Sequence, residues 1–313
     1  MLFEKDDIIL KENDPQEDYR RRNDDEKKSI SWGQRKLLLT LLNFILDHCL
    51  EVENPILLYC GAAPGVNIGI VASLFPQFTF HLYDPAKFKI KTNIKKKIIV
   101  YNKKFTDEIA EFWSKKENVI FVSDIRTADY TKAKDLNENE DQILFDMEMQ
   151  KRWVEIIKPI KSQLKFRLNY TGDGRKNELE YFDGIIYKQC FPPQTSTETR
   201  LVLTSPDLKY KTYNCEKYES QMFYHNVNIR EKNKYENEIV DGEELINDWD
   251  SCCEVEIWKK YLQITGKEVS KENILNLSRN ATILLNKGKK HQDTLSYLRD
   301  NPQSIKNRNF KNK

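Results

Sequence analysis

Two lysines and two acids stand at places in this sequence where a proton-transfer site could form. Lys36 opens an amphipathic segment, Asp124 ends the apolar run 119–123, Lys165 lies inside an apolar segment, and Glu198 precedes another. A lysine on an otherwise apolar strand is costly unless it is paired or functional. It can take a proton from a hydroxyl group when burial and a neighbouring cation lower its pKa. Together the four residues predict proton transfer from a hydroxyl group, and Lys36 would be the neighbouring cation. A lone Lys or Glu at any of these positions is better explained by a surface ion pair.

Glycine is scarce in this chain, which makes its one cluster informative. There are 10 glycines among 313 residues, and Gly61, Gly65 and Gly69 fall within nine of them. The segment runs from an apolar strand through a small-residue turn into a helix, whose free N–H groups favour negative charge. Asp84 follows the next strand, where an acid accepts ribose hydroxyls in doubly wound folds. These features predict a nucleoside cofactor; the alternative is tight helix–strand packing beside a solvated acid.

The sequence of the turn, Gly61-Ala-Ala-Pro64-Gly65, bears on which cofactor binds. A dinucleotide fingerprint requires G-x-G-x-x-G, and its second glycine is missing here, which disfavours a nicotinamide oxidoreductase. Proline before the last glycine resembles the first motif of RNA methyltransferases that use S-adenosylmethionine. A sulfonium already carries an activated methyl group, so such an enzyme mainly aligns donor and acceptor. On that resemblance we expect S-adenosylmethionine as the cofactor.

The hydrophobic pattern predicts the elements that position these residues. Apolar strands alternate with helical segments up to Pro159, strands joined by loops follow, and helices occupy the chain beyond about residue 214. The predicted helices are 34–50, 66–75, 106–116, 141–157, 254–264 and 271–286, and the predicted strands are 56–60, 79–83, 98–101, 119–123, 163–168, 184–189 and 199–204. Apolar strands alternating with helices indicate a parallel sheet covered on both faces. We expect an α/β, Rossmann-like fold, mostly parallel with an antiparallel edge and a helical C-terminal part.

Composition and charge divide the chain into three parts. Residues 1–30 are polar and predict a loosely packed N-terminal arm, and residues 287–313 predict a basic, disordered tail. Residues 31–286 predict the folded domain, which the resemblance of its glycine turn implies is a methyltransferase domain. The tail has eight Lys or Arg against two acids, whereas the whole chain carries a net charge of +2. The net charge of the whole chain therefore gives no indication of a polyanionic partner.

Several classes of protein are disfavoured. No apolar run approaches the roughly 18–20 residues of a membrane-spanning helix, and the charged N-terminus is unlike a secretory signal. Six cysteines without C-x-x-C spacing and four scattered histidines argue against a zinc module and against a disulfide scaffold. We expect a cytoplasmic protein with neither a metal site nor a membrane contact.

Six stretches, in order over residues 19–226, resemble the poxviral family of cap-specific mRNA nucleoside 2′-O-methyltransferases, which also serve as the small, stimulatory subunit of viral poly(A) polymerase. The stretches are Gly33-Gln-Arg-Lys-Leu-Leu-Leu, Tyr59-Cys-Gly-Ala-Ala-Pro-Gly, Val122-Ser-Asp-Ile-Arg, Leu164-Lys-Phe-Arg, Glu198-Thr-Arg-Leu and Tyr218-Glu-Ser-Gln-Met-Phe-Tyr. The resemblance implies methyl transfer to the ribose 2′-hydroxyl of the first transcribed nucleotide of capped mRNA. It implies catalytic roles for Lys36, Asp124, Lys165 and Glu198, with Lys165 as general base. The implied cofactor positions are Gln34, Tyr59, Gly61, Pro64, Gly65, Asp84 and Phe105.

The resemblance also implies a site for the methylated guanine of the cap, which is flat and cationic. Two aromatic faces should sandwich this base, and carboxylates should accept its edge N–H groups. The implied residues are Tyr19, Tyr170, Asp173 and Glu219. Two departures from the family stand out, because Gly172 occupies the position of its second acid and Thr195 that of an auxiliary tyrosine. Asp173 is then the expected substitute, one residue along.

A lysine-rich segment predicts contact with the RNA chain. Residues 87–104 hold eight lysines and no acid, just after Asp84. Such a segment would bind RNA in a salt-dependent, sequence-tolerant way; a solvated lysine-rich face is an equally good interpretation. The predicted RNA contacts are Lys87, Lys89, Lys91, Lys95, Lys96, Lys97 and Arg167.

The implied partners are the 5′ end of capped mRNA and a poly(A) polymerase catalytic subunit, in the host cytoplasm and the virion of a virus. Two functions of different class stay open at this point. One is the methyltransferase, and the other is an RNA-binding stimulatory subunit of the polymerase, with or without catalysis. The intact set of four charged residues argues against an exclusively non-catalytic role.

Overall fold

The computed structural model describes residues 2–20, 22, 29, 31–90, 97–128, 132–170, 175–236 and 248–285. The predicted basic tail, 287–313, lies outside this part of the chain, as does most of the arm beyond residue 20.

A seven-stranded sheet forms the centre of the molecule. Its strand order is β3-β2-β1-β4-β5-β8-β7. The strands are β1 (Ile56–Cys60), β2 (Thr79–Tyr83), β3 (Ile98–Tyr101), β4 (Val119–Ser123), β5 (Lys161–Phe166), β7 (Ile185–Tyr187) and β8 (Thr199–Leu203). The pairings from β3 through β5 are parallel, and β8 runs antiparallel to both of its neighbours. The predicted α/β fold with a mostly parallel sheet and an antiparallel edge is confirmed.

Helices cover both faces of this sheet. They are α1 (Gly33–His48), α2 (Val66–Leu74), α3 (Asp107–Trp113), α4 (Leu136–Ile157), α5 (Cys215–Tyr224), α6 (Arg230–Lys232), α7 (Trp249–Ile264) and α8 (Lys271–Leu285), with a π-helical turn at His225–Ile229. Side chains alternate along β1, so Leu57 and Tyr59 join the core formed with α1, α2, α7 and α8. Leu58 and Cys60 join the core formed with α3, α4 and α5. No helix in the described part of the chain is both long and apolar enough to span a membrane.

A second, two-stranded sheet was not predicted. It pairs β6 (Glu178–Phe182) with β9 (Tyr210–Asn214) in antiparallel register. Both strands are largely exposed and rich in polar residues, so neither has the continuous apolar run that marks the central strands. Helix α4 also begins earlier than predicted, because Asp135 caps it by accepting the N–H of Glu138 at 2.8 Å.

The start of the predicted arm is closely packed. Ile8 is buried, the N–H of Leu10 donates to the carbonyl of Ile186 at 2.8 Å, and the N–H of Lys188 donates to Ile8 at 2.8 Å. Farther along, the side-chain amide of Gln221 donates to main-chain carbonyls of residues 11, 12 and 14. The described arm thus extends the sheet beyond β7 and then follows α5, in contrast to the predicted loose packing.

A disulfide joins Cys190, just after β7, to Cys253 in α7. The cysteine spacing alone did not predict this link.

Candidate active site at the carboxyl edge of the sheet

The predicted site residues follow strands that end at one edge of the sheet. Gly61 follows β1, Asp84 follows β2 and Asp124 follows β4. Lys165 is the last residue but one of β5, and Glu198 comes just before the antiparallel β8. Because β8 is reversed, its beginning lies beside the end of β5, and this brings Glu198 to the same edge. Ligands of open α/β sheets bind at this edge.

The structure brings the four predicted catalytic residues together. Lys165 Nζ lies 3.0 Å from Asp124 Oδ1 and 3.3 Å from Glu198 Oε2. Lys36 Nζ, from the first turn of α1, lies 2.7 Å from Glu198 Oε1. The side chains of Lys165, Asp124 and Glu198 are 12–13% exposed, so the cluster is largely buried yet still reachable from the surface.

An arginine that sequence reasoning missed completes this cluster. Arg200 lies opposite Lys165 in the antiparallel register of β5 and β8. Its guanidinium donates to Asp124 Oδ1 at 2.7 Å and to Glu198 Oε1 at 3.1 Å, and its side chain is 2% exposed. Arg126, half-buried, donates to Glu198 Oε2 at 3.3 Å. The available signal was strand alternation, since Arg200 lies two residues after Glu198 and so points to the same side.

Charge compensation sets the ionisation of the cluster. Burial lowers the pKa of Lys36, against the opposing pull of Glu198. Burial alone would raise the pKa of Glu198, but Lys165, Lys36 and Arg200 hold that pKa well below its usual range. Burial likewise acts to raise the pKa of Asp124, and Lys165 and Arg200 overcome it, so that pKa is lowered too. Both acids are therefore carboxylates at neutral pH, ready to orient and stabilise a cation between them.

The glycine turn packs tightly against β4. Gly61 has φ +75°, and a Cβ there would lie 2.7 Å from main-chain atoms of Asp124 and Ile125, so any other residue is excluded. Gly65, with φ +70°, precedes α2. Asp84 accepts the N–H groups of Ala63 at 3.0 Å and Ala86 at 2.8 Å, one on each carboxylate oxygen. Each oxygen keeps a further lone pair that could accept a ribose hydroxyl.

The residues at this edge fit a cofactor that presents an ammonium group and ribose hydroxyls. Gln34 Oε1, two residues before Lys36 in α1, is buried without a hydrogen-bond partner among the described residues. Such an acceptor is expensive to bury unless a donor reaches it. Tyr59 is buried near the end of β1, and burial together with the charge of Asp124 raises the pKa of its hydroxyl. Together with the turn and Asp84, these groups could hold S-adenosylmethionine.

Two predicted cofactor residues take other contacts. The Phe105 ring packs in the core between Tyr83 and Trp153, with ring centroids 5.1 and 4.9 Å away. The Pro64 carbonyl accepts the N–H of Lys89 at 2.8 Å, which ties the loop after Asp84 to the turn.

The predicted cap residue Tyr170 lies after β5, next to a buried ion pair. The guanidinium of Arg167 lies over its ring, 4.4 Å from the centroid, and Arg167 pairs with Glu140. Arg167, predicted to contact RNA, is thus engaged inside the protein. Burial raises the pKa of Glu219, and the charge of Arg167 opposes this rise. Tyr170, Arg167 and Glu219 are therefore electrostatic neighbours.

The other cap residues are placed less closely. Tyr19 is 60% exposed, and its ring meets the Phe223 ring edge-on at 5.4 Å, one helical turn along α5 from Glu219. Asp173, with Gly172, lies outside the described residues.

The lysine-rich segment is described only in part. Lys87 and Lys89 are exposed, and Lys97 donates to the carbonyl of Pro76. Three predicted RNA contacts lie outside the described residues, namely Lys91, Lys95 and Lys96. A small pocket of about 10 Å³ lies beside Lys165 and is also lined by Arg126 and Arg167. No group of His, Cys, Asp and Glu suited to a metal ion occurs in the described part of the chain.

The chain resembles known proteins over most of its length. A family model described as the poly(A) polymerase regulatory subunit matches residues 3–287. A curated relative, the cap-specific mRNA (nucleoside-2′-O-)-methyltransferase of fowlpox virus (strain NVSL), is 26% identical over 244 residues. That alignment covers 69% of this chain and 74% of the relative. The span of the family match contains the whole charged cluster and the glycine turn.

Proposed function

The chain belongs to the poly(A) polymerase regulatory subunit family, and from this premise we propose that it is a cap-specific 2′-O-methyltransferase. It transfers a methyl group from S-adenosylmethionine to the ribose 2′-hydroxyl of the first transcribed nucleotide of capped mRNA. The name of the fowlpox relative supports this reaction. The observation that carries the proposal is the position of Lys165 between two carboxylates at the carboxyl edge of the sheet.

The residues of the cluster divide the work of this reaction. Lys165 Nζ orients the 2′-hydroxyl and receives its proton as that oxygen becomes methylated. Asp124 and Glu198, 3.0 and 3.3 Å away, stabilise the ammonium that results. Lys36 and Arg200 hold the two carboxylates in place. When bound, S-adenosylmethionine supplies the methyl group, and its sulfur leaves as a neutral thioether.

The surrounding residues bind the two substrates. Gln34, Tyr59, the turn from Gly61 to Gly65 and Asp84 would hold the cofactor. Arg126, which is 26% exposed beside the cluster, would contact the phosphate chain of the acceptor RNA.

Transfer of a labelled methyl group to two matched RNAs tests the proposal. One carries a methylated cap and an ordinary first nucleotide, and the other carries the same cap with a 2′-deoxy first nucleotide. We expect labelling of the first RNA alone. Lys165→Met should lower turnover by about 10²–10⁴-fold, the range typical of a lost general base.

The matched control is Lys161→Met, because Lys161 lies at the opposite end of the same strand, where it pairs with Glu51 at 3.2 Å. It should turn over like the wild type. Equal labelling of the two RNAs, or full activity of Lys165→Met, would contradict the proposal.

A second function is favoured by the family description itself. We propose that the chain also stimulates a poly(A) polymerase catalytic subunit through RNA binding. Primer elongation by that subunit, with wild-type chain or with Lys165→Met added, separates the two activities. If Lys165→Met stimulates elongation normally, catalysis and stimulation are independent; if neither protein stimulates, this second function is wrong.

A further inference from the structure

Three contacts hold Tyr170, two through its main chain and one on its ring, although it lies in a loop. Its N–H donates to Glu140 Oε2 at 3.2 Å, and its carbonyl accepts from the side chain of Asn169 at 3.2 Å. The third contact is the Arg167 guanidinium, 4.4 Å from the ring centroid. A residue whose main chain is hydrogen-bonded and whose ring is covered on one face has less freedom to lose when a ligand stacks on it.

Glu140 connects two of these contacts. It projects from α4 and is buried, with 4% of its surface exposed. The same oxygen, Oε2, accepts hydrogen bonds from the Tyr170 N–H and from Arg167 Nη2. One carboxylate therefore sets both the main chain of Tyr170 and the cation behind its ring.

The charge of Glu140 matters as much as its hydrogen bonds. Arg167 covers one face of the Tyr170 ring, so a stacking ligand would lie on the opposite face. A methylated guanine is cationic, and an uncompensated guanidinium behind the ring would repel it. Because Glu140 neutralises Arg167, the ring can attract a cation on that opposite face.

We propose that Glu140 is a positioning residue for cap recognition, which makes Tyr170 a rigid, charge-compensated platform for a flat cationic base. The inference rests on the proposed cap-specific function. It reassigns Arg167 from contact with the RNA chain to support of the platform. No part of the charged cluster at Lys165 is involved, so the effect belongs to substrate binding and not to the chemical step.

The test compares the affinity of cap dinucleotides that carry methylated or unmethylated guanine. Glu140→Gln keeps an acceptor for Tyr170 N–H and removes the charge. We expect about tenfold weaker binding of the methylated dinucleotide, a smaller loss for the unmethylated one, and unchanged affinity for S-adenosylmethionine. In methylation assays, the KM for capped RNA should rise while kcat stays at the wild-type value.

Two further variants keep the test decisive if Glu140→Gln folds poorly. The double variant Glu140→Gln/Arg167→Met has no buried unpaired charge, and a methionine side chain can still cover the ring, so methylated-cap binding should recover most of the loss. Asp141→Asn is the matched control. Asp141 also lies in α4 and also pairs with an arginine, Arg175, but its side chain is 71% exposed. It should bind the cap like the wild type.

A double-mutant cycle with Tyr170→Ala decides the route of the effect. If Glu140 acts through Tyr170, Glu140→Gln has no further effect in the Tyr170→Ala background. Additive losses, or normal cap affinity of Glu140→Gln beside a weakened Tyr170→Ala, would overturn the inference and leave the proposed reaction standing. Loss of methyl transfer to every RNA in the wild type would instead refute the proposed function.

Discussion

Two buried charge clusters in this molecule have opposite balances. At the candidate active site, three cations (Lys36, Lys165 and Arg200) surround Asp124 and Glu198, and the pKa of each acid is lowered. At the start of α7, Asp248 and Asp250 lie near one arginine, Arg230. Burial raises the pKa of both acids there, and that of Asp248 to about 6.

The difference follows from what each cluster does. The α7 cluster fastens a loop: Asp250 accepts the N–H of Phe191 at 2.8 Å, and Arg230 donates to the carbonyl of Pro192 at 3.2 Å. It is closed, and Arg230 is fully buried. The active-site cluster keeps some exposure and holds three cations around two acids, so each carboxylate keeps a cationic partner when Lys165 turns toward a substrate. A site built for proton transfer therefore needs more cations than a structural link does.

The largest effect that this comparison predicts is on stability at α7. Arg230→Met leaves two buried acids without their arginine, and we expect a loss of about 3–5 kcal/mol in the free energy of unfolding. Urea denaturation measures it. A loss below about 1 kcal/mol, the range of surface ion pairs, would show that the α7 cluster is not the closed structural link described here.

Arg200→Met should act mainly on turnover. The two lysines still compensate the acids, so the protein is expected to fold, while methyl transfer falls by about 10–100-fold because the carboxylates lose their support. Arg152→Met is the matched control, since Arg152 also pairs with an acid, Asp107, at 2.6 Å, but is 65% exposed and lies outside the cluster. If Arg200→Met destabilises the protein as much as Arg230→Met does, the excess of cations gives no protection and the comparison fails.

Asp248→Asn should stabilise the protein at neutral pH. The folded-state pKa of about 6 lies above the ordinary value, so the folded state favours the protonated acid. Stability therefore falls as the pH rises from about 4 to 6, and by pH 7 the charged form costs roughly 1–3 kcal/mol. Asparagine still caps α7 through the N–H of Ser251, at 2.8 Å in the native chain. Denaturation at pH 7 and pH 4 checks this, and a gain of equal size at both values would be inconsistent with it.

Glu198→Gln should destabilise the protein at neutral pH, the opposite of Asp248→Asn, and we expect its effect on the free energy of unfolding to be the smallest of the four. The pKa of Glu198 is lowered on folding, so its contribution is present above the unfolded pKa of roughly 4.3 and is lost as the pH falls through the folded value. The wild type should be more stable than the variant at pH 7, and this gap should narrow by about 1 kcal/mol in acid. Parallel denaturation series at pH 3 and pH 7 measure it. If the stability difference widens in acid, the pKa of Glu198 is raised on folding, like that of Asp248, and the comparison is wrong.

The parts of the fold that sequence predicted best are the central strands. The predicted bounds of β1, β2, β3 and β4 match the structure, because each is a short apolar run that ends at a turn. β6 and β9 were missed because they form a separate ribbon with one solvated face. The contact of 4–20 with β7 and α5 was also missed, since pairing with a distant strand leaves no local pattern.

The sequence predicted which residues form the candidate site better than it predicted which of them contact one another. Residue types and their places at strand ends indicated Lys36, Asp124, Lys165 and Glu198. Arg200 needed the register of β5 with β8, which depends on three-dimensional pairing. Glu140 was missed because an acid in a charged helix resembles any solvated residue, and its burial becomes visible only when α4 packs beside Arg167.

The reversed strand β8 also joins completion of the sheet to completion of the reaction centre. β7 precedes β8 in the chain, yet β8 lies between β7 and β5 and pairs with both. Arg200 lies in β8 and Glu198 immediately precedes it, so one pairing with β5 brings two of the charges to Lys165 and Asp124. A chain truncated before β8 would contain the residues of the glycine turn but only part of the charged cluster.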